Sequence, residues 1–254
     1  MKNSFRWLNT IGLAAVLIVN GLAQWLPIND KTTGELSAKY PVLFTPAPYA
    51  FSIWSVIYLL LIGFVAYQLI PKGANSQIVQ RIGPWFLISC LLNVAWILVW
   101  HYEKLGSSVF VMLALLLSLV SIYTAVRKGK QAPTWGERYL IRLPFSIYLG
   151  WISTATIVNI TVALSATDWN GFGLSDVIWT IILLVIATLL AVTIGFAYLD
   201  PAFILVFIWS FIAIAVKGGQ QADVTLAAFI LAALLAATAV YVLIIANKRK
   251  AAAY

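Results

Sequence analysis

Residues 44–70 read FTPAPYAFSIWSVIYLLLIGFVAYQLI, in which Pro46, Pro48, Tyr49 and Phe51 lead into an apolar run without a single charge. Crossing the hydrocarbon of a bilayer takes a helix of about 20 such residues. The run does not alternate with a period of two, so it is no barrel strand, and a helix is the way to satisfy its amides in lipid. The rest of the chain repeats the pattern. Of 254 residues, 63% are hydrophobic and only 9% are charged, and the mean hydropathy is +0.97. A soluble domain carries roughly a quarter charged residues. This chain cannot cover a water-facing surface, and its solvent is largely lipid.

Eight spans are predicted, at about 8–27, 48–70, 84–102, 107–126, 140–164, 176–198, 201–217 and 225–246. The fold class is therefore all-α, a polytopic transmembrane helical bundle. The seventh span is short, and only Asp200-Pro201 separates it from the sixth, a pair that reads as a tight turn or a break in one helix. With eight spans, both termini share a side. That side holds Lys2, Arg6, Lys72, Arg81, Arg127, Lys128, Lys130, Arg138, Arg142, Lys248, Arg249 and Lys250, and the other holds Lys31, Lys39, Lys104 and Lys217. This three-to-one bias predicts cytoplasmic termini and a bacterial-type plasma membrane. The acids Asp30, Glu35, Glu103, Asp168, Asp176 and Asp223 fall on the outer side. The net charge of +8 is thus a topology signal, and no nucleic-acid partner is expected. The first 23 residues also have the layout of a secretory signal, whose removal would leave seven spans.

One cysteine, Cys90, and one histidine, His101, exclude a disulfide framework and a thiolate or histidine metal cluster. His101 reads as an interfacial residue. The chain has no phosphate-binding loop, zinc-protease motif or nucleophile elbow, so no catalytic residue is assigned and a non-enzyme is expected. Trp7, Trp25, Trp85, Trp135, Trp169 and Trp179 lie near span ends, as an aromatic belt requires, whereas Trp54, Trp96, Trp151 and Trp209 lie deeper, with Trp100 between. Polar residues within spans are costly and face the bundle interior or a cavity. On the third span Asn93, Trp96 and Trp100 share a face; on the fifth, Trp151, Ala155 and Asn159 form one stripe. The hydroxyls of the fifth span are explained by bonds to their own helix or to its neighbours.

Three segments resemble the TspO/MBR family, the tryptophan-rich sensory proteins related to the mitochondrial translocator protein. The stretch from Phe44 resembles its second-span signature, with Trp54, Tyr58 and Gly63 in a W-x-x-x-Y helix followed by glycine. LLNVAWILVW resembles the third-span pattern through Leu92, Asn93 and Trp96. LPFSIYLGWISTATIVN resembles the fifth through Leu143, Pro144, Phe145, Trp151, Ala155 and Asn159. The resemblance covers about residues 5–165. It implies a domain of five helices over 1–165, with 166–254 supplying three further helices and a basic tail. It also implies a cavity under a loop that runs from about Pro27 between spans one and two. In the family that cavity takes porphyrins, haem-like tetrapyrroles and, in some members, sterols. Mapped onto this chain, the ligand-binding set is Tyr49, Phe51, Trp54, Tyr58, Asn93, Trp96, Trp100, Trp151, Ala155 and Asn159.

Two positions depart from the pattern. Tyr49 stands where the family has tryptophan, and Phe51 is one residue closer to Trp54 than usual. Family members are linked to light-dependent porphyrin breakdown involving cavity tryptophans, and Tyr49 removes one of them. VSIYTAVR at 120–127 matches a sterol-recognition spacing, which an interfacial Tyr123 and Arg127 explain equally well. The expectation is a membrane-embedded binding or sensory protein for a small, flat, apolar ligand such as a porphyrin, with no required cofactor. A transporter of a hydrophobic solute and a light-dependent porphyrin-modifying enzyme are the alternatives. The last span, rich in alanine, suits close packing or homo-oligomer contacts.

Overall fold

A computed structural model describes residues 5–26, 28–40, 42–128, 133–167 and 169–251. Lys2, Lys130 and Asp168, which entered the charge bias, and Pro27, the predicted start of the loop, lie outside the described residues. The rest is all-α, with no strand among the described residues. The helices run in order α1 Arg6–Trp25, α2 Thr33–Lys39, α3 Ile53–Leu69, α4 Pro71–Ala74, α5 Gln77–Ile82 and α6 Trp85–His101. They continue as α7 Leu105–Ala125, α8 Trp135–Glu137, α9 Leu143–Ser165, α10 Asp176–Tyr198, α11 Pro201–Ala215 and α12 Ala222–Ala251. A π turn, Arg138–Arg142, joins α8 to α9.

The eight predicted spans correspond to α1, α3, α6, α7, α9, α10, α11 and α12. Among the described residues six helical stretches are long and apolar enough to cross a membrane, whereas α6 and α11 are shorter. At 1.5 Å per residue, the 15 residues of α11 reach only about 22 Å, less than the roughly 30 Å of hydrocarbon. The Asp200-Pro201 pair is a turn. Leu199 takes the left-handed conformation (φ 49°, ψ 51°) and ends α10. The Asp200 carboxylate then accepts from the Phe203 amide at 3.3 Å, and Pro201 opens α11. Proline suits that position because its missing N–H would have no helical partner there.

The chain forms two compact units. The first comprises 1–39 and 52–152, the second 40–51 and 153–254. Their bounds differ from a division at 165, because residues 40–51 are tied to the C-terminal helices. Ala47 N–H donates to the Ala213 carbonyl at 2.9 Å, Lys217 Nζ to the Val42 carbonyl at 2.9 Å, and Gln220 Nε2 to the Leu43 carbonyl at 2.9 Å.

In the first unit α1 packs on α3 and α6, and α6 packs on α7. Its core contains a mutually edge-on triad, Phe64, Phe86 and Phe145, with centroids 4.9 to 5.9 Å apart. A Cβ on Gly63 would come within 3.2 Å of Leu140 Cδ2, so glycine there admits a close neighbour. In the second unit α10, α11 and α12 pack on one another through buried small residues such as Ala187, Ala213, Ala228 and Ala232. Without a hydrophobic drive between helices in lipid, such close approach supplies the dispersion contacts that hold them.

Candidate functional site

The tryptophans divide largely as their positions predict, except that Trp179, placed among the span-end residues, is half-buried, with its indole N–H donating to the Gly171 carbonyl. Trp7, Trp25, Trp85, Trp135 and Trp169 are exposed, while Trp54, Trp96, Trp100, Trp151 and Trp209 are buried or half-buried. In the first unit the half-buried Trp54 stacks on Tyr58, at 5.3 Å and 20°. It meets Tyr148 edge-on at 5.8 Å and Trp151 edge-on at 6.4 Å. The W-x-x-x-Y spacing makes the stacked pair, since residues four apart lie one above the other on a helix.

Tyr148 joins this cluster to a buried amide line. Asn93 Nδ2 donates to the Tyr148 hydroxyl at 3.0 Å, and Asn20 Nδ2 donates to Asn93 Oδ1 at 2.9 Å and to the Val16 carbonyl at 2.9 Å. Three helices, α1, α6 and α9, are thereby held in register around one asparagine that is 1% exposed. Trp96 and Trp100 form their own stack on α6, at 5.5 Å and 18°. Two polar atoms beside these rings, the Tyr58 hydroxyl and Trp100 Nε1, are buried with no hydrogen-bond partner among the described residues.

The predicted set is therefore partly assembled. Trp54, Tyr58, Asn93 and Trp151 come together through Tyr148 in the first unit. Tyr49, Phe51, Ala155 and Asn159 belong to the second. There Tyr49 meets Trp209 edge-on at 5.3 Å, Trp209 Nε1 donates to the Ala50 carbonyl at 3.1 Å, and Asn159 is buried. A cavity in the second unit is lined by none of the ten. Sequence reasoning missed Tyr148 and Asn20. Asn20 carried the same signal as Asn93, an amide inside a span, and Tyr148 lies one turn before Trp151 on the same face.

Two residues depart from their sequence reading. His101 is buried rather than interfacial. Its Nδ1 donates to the Ile97 carbonyl at 2.7 Å, and Thr33 Oγ1 lies 3.5 Å from Nε2. Tyr123 is also buried, with the Arg127 guanidinium 3.4 Å over its ring and donating to Ser146 Oγ at 2.6 Å. Packing and a cation–π contact thus occupy the pair that matched the sterol spacing.

The segment after α1 is fastened over the end of α6. Asn29 Nδ2 donates to the His101 carbonyl at 3.0 Å, and Lys31 Nζ meets Glu103 at 2.8 Å while Lys39 Nζ meets its other oxygen. Its hydrogen bond to Glu103 holds the Lys31 ammonium above its ordinary range. A capping box starts α2: Thr32 Oγ1 accepts from Glu35 N–H at 3.2 Å, and Glu35 accepts from Thr32 N–H at 2.8 Å. That backbone bond lowers the Glu35 carboxyl below the usual range.

Neither the curated proteins nor the solved structures yielded a match to this chain. A family model described as TSPO-like protein matches residues 6–241. The match runs through α10, α11 and most of α12, the helices that the five-helix pattern leaves out. Nearly the whole sequence is thus accounted for by one family, and the apolar helices make it an integral membrane protein: the chain belongs to the TSPO-like protein family.

Proposed function

We propose that this protein is a membrane-embedded binding or sensory protein for flat apolar ligands, tetrapyrroles first among them, with its termini on the cytoplasmic side of a plasma membrane. The observation that carries this reading is the cluster of Trp54, Tyr58, Tyr148 and Trp151 beside Asn93. Aromatic walls suit a planar macrocycle, and a few placed polar groups orient it. The unpartnered Tyr58 hydroxyl and Trp100 indole N–H favour the same reading, because a ligand polar group would satisfy them. Trp96 flanks Trp100 in the stack, and Asn93 holds the cluster's Tyr148 in place. Tyr49, Phe51, Ala155 and Asn159 come into this reading through the family resemblance alone.

Titration of the purified protein with protoporphyrin tests it. Saturable quenching of tryptophan emission is expected, weakened roughly five-fold by Trp151→Phe and by Trp54→Phe, as the loss of an indole from an aromatic contact predicts. Quenching that never saturates, or that both variants leave unchanged, overturns the proposal. Illuminating the complex distinguishes binding from photochemistry: an unchanged porphyrin absorbance is expected.

A further inference from the structure

The second unit holds a half-open cavity of about 720 Å³, within the range of roughly 300–1,000 Å³ typical of small-molecule sites. Its walls come from 157–165 of α9, 176–183 of α10 and loop residues 42–44, with Thr167, 169–171 and Leu174 from the segment between the two helices. Ile157, Ile160, Leu164 and Leu183 make much of the wall apolar. The polar atoms have a bias that decides what the cavity can hold.

Its hydroxyls have spent their hydrogens on their own backbone. Thr180 Oγ1 donates to the Asp176 carbonyl at 2.7 Å, and Thr161 Oγ1 to the carbonyls of Ile157 and Val158 at 3.0 and 2.9 Å. Ser165 Oγ donates to Val162 O at 2.9 Å and Thr167 Oγ1 to Leu164 O at 2.7 Å. A hydroxyl committed in this way offers only lone pairs. The Trp179 indole N–H is likewise spent, on the Gly171 carbonyl at 2.7 Å. Asp176 is the one charged side chain among the described lining residues, and its carboxylate is acceptor-only when ionised. The side-chain donors left over, the Asn170 amide and the Trp169 indole N–H, are neutral, and like Asp176 they belong to exposed residues.

The rings of Trp169 and Trp179 lie 5.3 Å apart at 51°, and indole faces attract cations. Lys217 does not fill that role, since it is not a lining residue and its Nζ donates to the Val42 carbonyl at 2.9 Å. An anionic head would meet a carboxylate and a ring of lone pairs. We propose that this cavity binds an organic cation: an apolar body of alkyl or aromatic character carrying an ammonium head with N–H donors, held by Asp176, the threonine hydroxyls and the two indoles.

The test uses the full chain in phosphatidylcholine nanodiscs and three probes with one tail: octylamine, octanoate and octanol. Calorimetric titration at neutral pH, corrected with empty discs, should show saturable octylamine binding and none for octanoate. Asp176→Asn should weaken octylamine about tenfold, the scale of one charge-assisted hydrogen bond. Asp223→Asn, which removes an acid outside the cavity, should change nothing, and Thr180→Val should give a smaller loss that does not depend on Asp176 being altered. Octanoate binding as tightly as octylamine, or Asp176→Asn binding octylamine like the wild type, overturns the proposal. Discs containing phosphatidylethanolamine then identify the source. Competition with octylamine makes the occupant an amine lipid of the membrane and its absence makes it a free amine, and either outcome supports ammonium recognition. Protoporphyrin quenching measured on Asp176→Asn should match the wild type, so this site and the aromatic cluster fail or stand separately.

Discussion

Both units return hydroxyls to their own helices, as Ser89 does to Phe86 and Ser118 to Leu115 in the first, but the first also bonds amides across helices. There Asn9 Nδ2 donates to Gln68 Oε1 at 3.0 Å, and Asn20, Asn93 and Tyr148 form a chain over three helices. In the second, Thr188 and Thr238 turn back on their own helix, to Leu184 and Leu234, while Thr225 of α12 reaches the Ala215 carbonyl of α11 at 3.3 Å. Packing there depends instead on small residues that let backbones approach. A cross-helix amide bond fixes register and rotation, whereas a small-residue face fixes only distance. The first arrangement suits holding aromatic rings at set angles. The second leaves room for a cavity whose lone pairs face inward.

The largest effect is expected where the first arrangement is cut. Asn93→Leu removes both cross-helix bonds and leaves the Tyr148 hydroxyl without that donor, costing about 3 kcal/mol of stability. Denaturant unfolding in detergent measures it, with Thr188→Val as the matched change in the second unit. That control removes a bond within one helix and should shift stability by less than about 0.5 kcal/mol. Equal losses in the two would erase the contrast. The second arrangement breaks sterically. A Cβ on Gly195 would lie 2.4 Å from Ile204 Cδ1, so Gly195→Ala should cost about 2 kcal/mol. Because the obstacle is the end of a flexible side chain, Ile204→Val in the same chain should recover part of the loss in thermal unfolding.

These contrasts also mark what was legible in the sequence. Span positions followed from hydropathy alone, and helix ends from local chemistry such as Asp200-Pro201. Burial of Asn93, Trp96 and Trp151 followed from depth along each span, because a residue deep in a polytopic protein has few places to go except the interior. Partners were not legible. Asn93 bonds residues 73 and 55 positions away, and nothing in a helical period says which neighbouring helix an amide will face. The same gap hid Tyr148, an unremarked aromatic on an aromatic-rich helix, and put His101 at an interface when the segment at 29–33 covers it. The cavity was invisible for another reason. Its character lies in which hydroxyl hydrogens are already spent, a property of geometry and not of composition.

A smaller effect tests the exception to the first arrangement. Tyr58 is the buried hydroxyl in that unit's aromatic cluster without a partner. Tyr58→Phe keeps the stack on Trp54 and removes the orphaned group, so the ligand-free protein should gain about 1 kcal/mol. If a ligand polar group satisfies that hydroxyl, the stabilisation that protoporphyrin adds should shrink in the same variant. A gain without ligand and a smaller increment with it is the expected pair of thermal shifts. No change in the increment would remove the hydroxyl from the site while leaving the aromatic contacts untouched.

The smallest effect lies at the helix starts outside the bilayer. In the first unit α2 begins with a box whose carboxylate, Glu35, accepts from Thr32; in the second α10 begins with the hydroxyl of Ser175 accepting from Ile178 N–H at 3.3 Å. Only the first of these caps is itself titratable. The folded pKa of Glu35 lies below its unfolded value, chiefly because of the Thr32 backbone bond. Its contribution is therefore complete above the unfolded carboxyl range and is lost as pH falls through the lowered folded value. Hydrogen-exchange protection of the first-turn amides of α2 should drop on acidification over that window, and Glu35→Gln, which cannot ionise, should flatten the dependence. Because Lys31 and Lys39 tie the same segment to Glu103, a residual acid dependence in Glu35→Gln should vanish when Glu103→Gln is added. A dependence surviving both changes would mean that another titratable group carries it, and that neither carboxylate is what fastens the segment as pH falls.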